Sequence, residues 1–249
     1  MKRRGLCTLI LSLNLISGFA QFDKTVQNRP YTDLRPFHFG VLLGTHVQDI
    51  EFNNIGPQQI TMDDGTVKNV LVTTDQDRWD PGLTIGVLGE LRLSSLFQFR
   101  IAPTMYFGNR HLAFKDFSDP DQTGKPTEQR EDLKMAYMST ALDLIFASPR
   151  FNNHRPYLLA GLNPMLNLNQ KNDQQIALKK YDMFLELGLG CDFYLQYFKL
   201  RPELKFMLGL TNSYDSQHAG TITDKNMLPF TNSVNKSTSK MIALTFYFE

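Results

Sequence analysis

Two groups of residues carry the side-chain types of a hydrolase: His111 with Asp116 and Ser118, and Asp215 with Ser216 and His218. A hydroxyl nucleophile, an imidazole base and an orienting carboxylate would make acyl-transfer chemistry, but neither group has a diagnostic spacing. His38 and His46 share one face of an extended segment at positions eight residues apart, too far along a strand to hold one metal ion. Cys7 and Cys191 form no metal-binding spacing, and Gly86, Gly188 and Gly190 are isolated glycines without the pattern of a phosphate loop. No cofactor and no catalytic residue is therefore expected. What remains is a set of charges at alternating positions: Glu90, Arg92, Arg100, Asp143, Asp182, Glu186, Asp192, Arg201, Glu203 and Lys205. Charges of both signs on one protected face must pair, so these residues predict a structural salt-bridge network.

The elements that would position this set are strands. Phe37, Phe39, Val41, Leu43 and Val47 alternate with His38, Gly40, Leu42, Gly44, His46 and Gln48, giving one oily face and one small or polar face over 37–48. The same period of two runs over 82–93, 96–107, 133–146, 156–168, 182–193, 200–210 and 242–248. The clearest case sets Met183, Leu185, Leu187, Leu189, Cys191 and Phe193 against Asp182, Glu186, Gly188, Gly190 and Asp192. Most of these eight strands run to about 10–14 residues, longer than strands of soluble sheets and matched to a tilted bilayer crossing.

Their connections alternate between short (94–95, 148–155, 195–197) and long (53–80, 108–132, 169–180, 212–237). Outer-membrane barrels have that asymmetry, with short periplasmic turns and longer extracellular loops. A soluble lipocalin or sandwich would turn the oily face inward, and here that face is almost uninterrupted Leu, Phe, Ile, Val and Met. The expected fold is all-β, an eight-stranded antiparallel transmembrane β-barrel over 37–249, with a bilayer around its oily face. Aromatic girdles are expected from Phe37, Phe39, Phe97, Phe146, Phe193, Tyr194, Tyr197, Phe246 and Phe248 at the periplasmic side, and from Phe52, Trp79, Phe107, Phe114, Tyr181 and Tyr214 at the exterior. Phe246 and Phe248, in the alternating aromatic ending, form the expected signal for the barrel-insertion machinery.

Composition agrees with export to a membrane. Lys2, Arg3 and Arg4 precede a short apolar run from Leu6 to Ile16, and Ser17-Gly18-Phe19-Ala20 supplies small residues for cleavage near Ala20. Residues 1–20 thus read as a signal peptide and 21–36 as an extended periplasmic lead-in. Removing three of 26 basic residues and none of 25 acidic ones leaves a mature net charge of −2, which excludes the electrostatic footprint of a nucleic-acid binder. An eight-stranded barrel is filled by its own side chains, so a wide aqueous channel is not expected.

Several blocks resemble the PorT (also SprT) proteins of the Bacteroidota type IX secretion system. They are Arg35-Pro36-Phe37-His38-Phe39-Gly40, Asp80-Pro81-Gly82 with Leu91-Arg92-Leu93, and Phe99-Arg100-Ile101-Ala102-Pro103 leading to Phe107-Gly108-Asn109-Arg110. Further blocks are Phe151 to Gly161, Tyr197 to Phe206, and the terminal Thr245-Phe246-Tyr247-Phe248-Glu249. The resemblance implies an outer-membrane component needed for export of type IX cargo, and for adhesin delivery in gliding species, with other secretion components as partners. It implies no catalytic residue. Two other classes stand beside it: a generic structural or adhesin-like barrel, and a rim hydrolase acting on lipid.

Overall fold

The computed structural model describes residues 26–61, 65–120, 124–169, 175–220 and 227–249, without the side chain of Asp119. The expected signal peptide and first mature residues lie outside the described residues. Eleven strands are present among the described residues: β1 (Phe37–Asn54), β2 (Gln58–Thr61), β3 (Val67–Val70), β4 (Val72–Asp75), β5 (Asp80–Arg92), β6 (Phe97–Pro120), β7 (Pro126–Ala147), β8 (His154–Asn167), β9 (Tyr181–Tyr194), β10 (Lys199–Gly209) and β11 (Val234–Phe248). Eight of them close a ring in the order β1-β5-β6-β7-β8-β9-β10-β11, each antiparallel to its neighbours, with β11 returning to β1. Closure leaves no free sheet edge in the bilayer, which is the condition for strands to cross it.

The outer face of the ring is the expected oily one. Phe39, Leu83, Ile85, Val87, Ile101, Leu158, Leu187, Leu189, Leu204 and Leu244 lie on it, all either exposed or half-buried. On β1 this band runs from Phe37 to Val47; eleven residues at about 3.4 Å each, tilted by roughly 40°, rise about 25 Å, the height of an outer-membrane apolar band. Above Val47 the outward residues turn polar, as Asp49, Glu51 and Asn53, and the inward ones turn apolar, as Ile50 and Phe52. β6 changes in the same way, from outward Phe107 and inward Arg110 to outward Lys115 and inward Leu112 and Phe114.

This inversion explains why four strands are longer than their apolar-out pattern predicts. β1, β6, β7 and β11 continue beyond the bilayer as ordinary soluble strands, with apolar residues inside. The connection expected over 108–132 is mostly strand: β6 and β7 stay paired from Phe97↔Phe146 to Asp116↔Thr127, and rejoin at Pro120↔Pro126. The long connection before β5 holds the β2–β3 hairpin and β4, which pairs with β6 from Val72↔Asp116 to Asp75↔Ala113, beyond the end of β5. The last long connection carries a one-turn helix, α1 (Leu228–Thr231).

These pieces fold over the long-loop mouth. Ile50, Ile60, Val70, Val72, Leu112, Phe114, Leu133, Ile176, Leu178, Tyr214, Phe230 and Val234 form one buried apolar cluster there. Phe114 and Phe230 meet edge-on at 5.6 Å, and the Tyr214 hydroxyl donates to Thr231 O at 2.7 Å. Phe114 and Tyr214 therefore sit inside this lid, with Phe52 packed against it, and not in the outer girdle expected of them. Tyr194, expected in the other girdle, is also interior, 1% exposed.

At the short-turn end, residues 28–36 run across the mouth. Asn28 donates to Asn153 Oδ1 and Tyr194 O, Arg29 donates to Glu249 O, and Arg92 N donates to Pro36 O. Arg150 clasps this strap, donating to the carbonyls of Asn28 and Arg29 with its guanidinium 3.7 Å from the Tyr194 ring centre. Arg29 and Asn152, both with φ of 50°, are the two non-glycine residues with positive φ among the described residues, and the carbonyls of both accept from Arg150.

Candidate functional site: the filled barrel interior

Inward positions of adjacent strands place the buried charges at matching heights. β10 contributes Lys199, Arg201, Glu203 and Lys205 at alternate residues, so four charges descend one wall. Arg201 Nη1 donates to Glu90 Oε2 at 2.7 Å, and Arg201 Nε stands 2.6 Å from Asp192 Oδ1. Arg100 Nη1 donates to Glu203 Oε2 at 2.7 Å and Arg100 Nε to Glu90 Oε2 at 3.3 Å, so Glu90 bridges the two arginines. Glu203 also accepts from the hydroxyls of Tyr157 and Tyr247, at 2.7 and 2.9 Å. Lys205 Nζ reaches Glu186 at 2.9 Å and Asp143 at 3.1 Å.

All nine of these charged residues are at most 2% exposed. Each cation meets at least two carboxylates, the condition under which buried ions are tolerated. The Arg100 guanidinium also lies 4.5 Å from the Tyr247 ring centre, and that of Arg201 lies 5.0 Å from the Tyr157 ring centre. Glycine makes room for this packing: a Cβ at Gly161 would strike the Asp143 carboxylate, and one at Gly190 would strike the Tyr157 ring.

Of the ten residues that the alternation singles out, eight join this network: Glu90, Arg100, Asp143, Glu186, Asp192, Arg201, Glu203 and Lys205. Arg92 does not. It lies past the floor of the interior, where its guanidinium donates to the carbonyls of Ser94 and Leu34, because β5 ends there and leaves the side chain at the rim. Asp182 is buried at the opposite end of the barrel, accepting from Ser213 Oγ, Thr211 Oγ1 and Met183 N.

The network also holds residues that the charge pattern alone did not select. Glu249 contacts Arg201 and Lys199, each at 2.5 Å, and His38 Nδ1 at 3.4 Å. The signal was parity: Phe248 faces lipid, so Glu249 turns inward. Lys199 shares the parity of Arg201 in the same way.

Above the charges lies a layer of Tyr106, Met135, Tyr137, Met165, Phe184, Met207, Met241 and Ala243. Beside it His46 Nδ1 pairs with Thr84 Oγ1 at 2.9 Å and its ring meets Tyr106 edge-on, so His46 and His38 have separate partners. Next come Arg110, donating to Gln48 Oε1 at 3.0 Å, and then the apolar lid. The interior is thus filled from the strap to the lid by a charged layer, an aromatic and methionine layer, and an apolar cap.

The residues of the two hydrolase-like groups make the following contacts. His111 Nδ1 pairs with Asp80 Oδ1 at 2.6 Å and its Nε2 lies 3.4 Å from Asp132, while Ser118 Oγ accepts from Leu71 N. Asp215 Oδ1 accepts from Gln217 N, and the His218 side chain is buried. No cluster of three or more His, Cys, Asp or Glu able to hold a metal ion occurs among the described residues.

A closed ring of eight antiparallel strands, an apolar band of bilayer height and a self-filled interior define a small outer-membrane β-barrel. Residues 19–215 match the family model described as "Outer membrane protein beta-barrel domain", and the chain belongs to that family. Its location is the outer membrane. None of the curated proteins matches the sequence. Among solved structures, the chain is similar to the crystal structure of the outer membrane protein OprG from Pseudomonas aeruginosa, at 12% identity and a TM-score of 0.45, covering 84% of this chain and 93% of that one. It is also similar to the solid-state NMR structure of the outer membrane protein AlkL in lipid bilayers, at 14% identity and a TM-score of 0.30, covering 90% of this chain and 96% of that one.

Proposed function

We propose that this barrel is an accessory or assembly component of the type IX protein secretion system, working through contacts on its surface and neither conducting cargo nor catalysing a reaction. The observation that carries the contact reading is the filled interior. Arg100, Arg201, Glu203 and Lys205 fill it in ion pairs with one another or with Glu90 and Asp143, the lid covers one mouth and the strap crosses the other. Moving a polypeptide through would require breaking several buried ion pairs at once, each costing about 3–5 kcal/mol when one partner is lost. Membership in the secretion apparatus rests on the PorT-like blocks, whose residues include Arg100, Arg201, Glu203 and Lys205 of the network as well as strand ends and turns.

The test is deletion in the native host with complementation, scoring release of cargo that carries the type IX C-terminal signal, in parallel with lipid A and phospholipid composition. Loss of cargo release with unchanged lipids is expected. Unchanged release would leave a generic structural barrel, and an altered lipid profile with unchanged release would point to a lipid-modifying activity.

A further inference from the structure

Six arginine and lysine residues are buried among the described residues: Arg100, Arg110, Arg155, Lys199, Arg201 and Lys205. Five of them have a carboxylate oxygen within 4 Å. Arg110 has none among the described residues. It is 1% exposed, and its bonds go to neutral groups, with Nε donating to Gln48 Oε1 at 3.0 Å and Nη1 to Ser239 Oγ at 3.3 Å. Nη2 is buried without a partner. Asp182 is linked to this guanidinium only at two removes, through Ser213, which donates to it, and Ser239, whose hydroxyl lies 3.4 Å from that of Ser213. A buried charge without an opposite charge in contact is strongly destabilising, and every other buried cation of this barrel avoids that state.

A cavity of about 20 Å³ lies beside Arg110, room for one water molecule or one small ion. Nε and Nη1 are spent on β1 and β11, whereas the cavity is walled by β7 and the end of β8, with Tyr137 and Asn167 lining it. The Arg110 guanidinium lies 5.9 Å from the Tyr137 ring centre on that side, so the unpartnered Nη2 is the nitrogen left to the cavity. Asn167 Oδ1 accepts from Asn169 N at 3.0 Å, which leaves the Asn167 amide nitrogen as a second donor. Lys134 adds a second positive charge at the cavity edge, and no lining residue is acidic.

We propose that this cavity is a binding site for one monatomic anion, a halide such as chloride, held by Arg110 Nη2 and the Asn167 amide nitrogen. The donors and the two positive charges select an anion over a cation. A water molecule would satisfy Nη2 as a donor but leave the guanidinium charge uncompensated, whereas a halide does both. The small volume selects a single atom over polyatomic anions such as sulfate or gluconate. The site is independent of the secretion role.

The test uses the whole mature protein folded in detergent, with bromide as the crystallographic probe and chloride as the solution probe. Crystals grown in bromide should show an anomalous peak in contact with Arg110 Nη2. In urea unfolding at constant ionic strength, with gluconate replaced by chloride, each tenfold rise in chloride above the dissociation constant should raise the folded-to-unfolded ratio by about tenfold. Arg110→Gln, and separately Asn167→Leu, which keeps the guanidinium but fills the cavity, should abolish both the peak and the chloride dependence. Heat-modifiable migration checks that each variant is folded. A water molecule without anomalous signal at this place overturns the proposal. So does stability that is indifferent to the exchange of gluconate for chloride, which would make any bromide peak an adventitious ion only, or a chloride dependence that survives in both folded variants.

Discussion

Arg100 is the residue on which the interior turns. Its guanidinium links Glu90 on one neighbouring strand to Glu203 across the barrel, with no exposed surface. Arg100→Leu would leave both carboxylates short of a partner, so a loss of about 3–5 kcal/mol is expected in urea unfolding of the detergent-folded barrel. An unchanged midpoint would show that the network is dispensable. On the opposite face the logic reverses. Leu204→Arg puts a charge into the lipid band and should cost about 2–4 kcal/mol near the midplane, measured as unfolding in lipid vesicles. Glu51 lies beyond the band, fully exposed, and the hydrogen bond from Lys240 holds its carboxyl below the ordinary carboxylate range. That contribution is present above the ordinary Glu value and lost as pH falls through the depressed one. Solvent screening keeps it small, so Glu51→Gln should leave the unfolding midpoint unchanged.

At the scale of elements, the lid and the closing strand make separate demands. Tyr214→Phe removes the donor to Thr231 O in a buried place, and should lower lid stability by about 1–3 kcal/mol, read as faster amide exchange of α1 while the transmembrane strands are unaffected. Burial, with the charge of Asp215, raises the Tyr214 phenol above its ordinary value. The neutral form is favoured in the folded lid, so its contribution is complete below the ordinary phenol range and is lost as pH rises through the raised value. Deleting Phe246 to Glu249 removes the last rungs to β1 and β10 and the ties of Glu249 to Lys199 and Arg201. The expected result is no heat-modifiable protein in the outer membrane; normal assembly would show that these residues neither close nor signal.

The transmembrane part of this fold was legible because one rule, an apolar outward face at alternate residues, runs through the strands inside the bilayer, with the charges confined to the inward face. The same rule hid the strand extensions. At Asp49 and Ile50, and again between Phe107 and Leu112, the phase reverses on leaving the membrane, and a search for oily outward residues stops there. The lid was not legible because its residues are scattered from Ile50 to Val234 and belong together only once the ring has closed. The charge network was legible from parity alone, except at the ends. Arg92 has inward parity but runs out of barrel, whereas Glu249 looks like an extra terminal residue until its parity is followed inward.

For the whole molecule, the closed ring, the three internal layers and the covered mouths lead to one functional consequence. Under the proposed contact role, such a barrel has only its surfaces to offer: the projecting β6–β7 hairpin and lid at one end, the lipid band around, and the strap and short turns at the other. The most direct measurement of this sealed state is the ionic conductance of the purified protein in a planar bilayer. Baseline current without discrete openings is predicted across the voltage range in which the bilayer itself is stable. Steady, reproducible steps of porin size from the folded, heat-modifiable form would contradict it, because they require a continuous aqueous path where Arg100, Glu203 and Lys205 are paired.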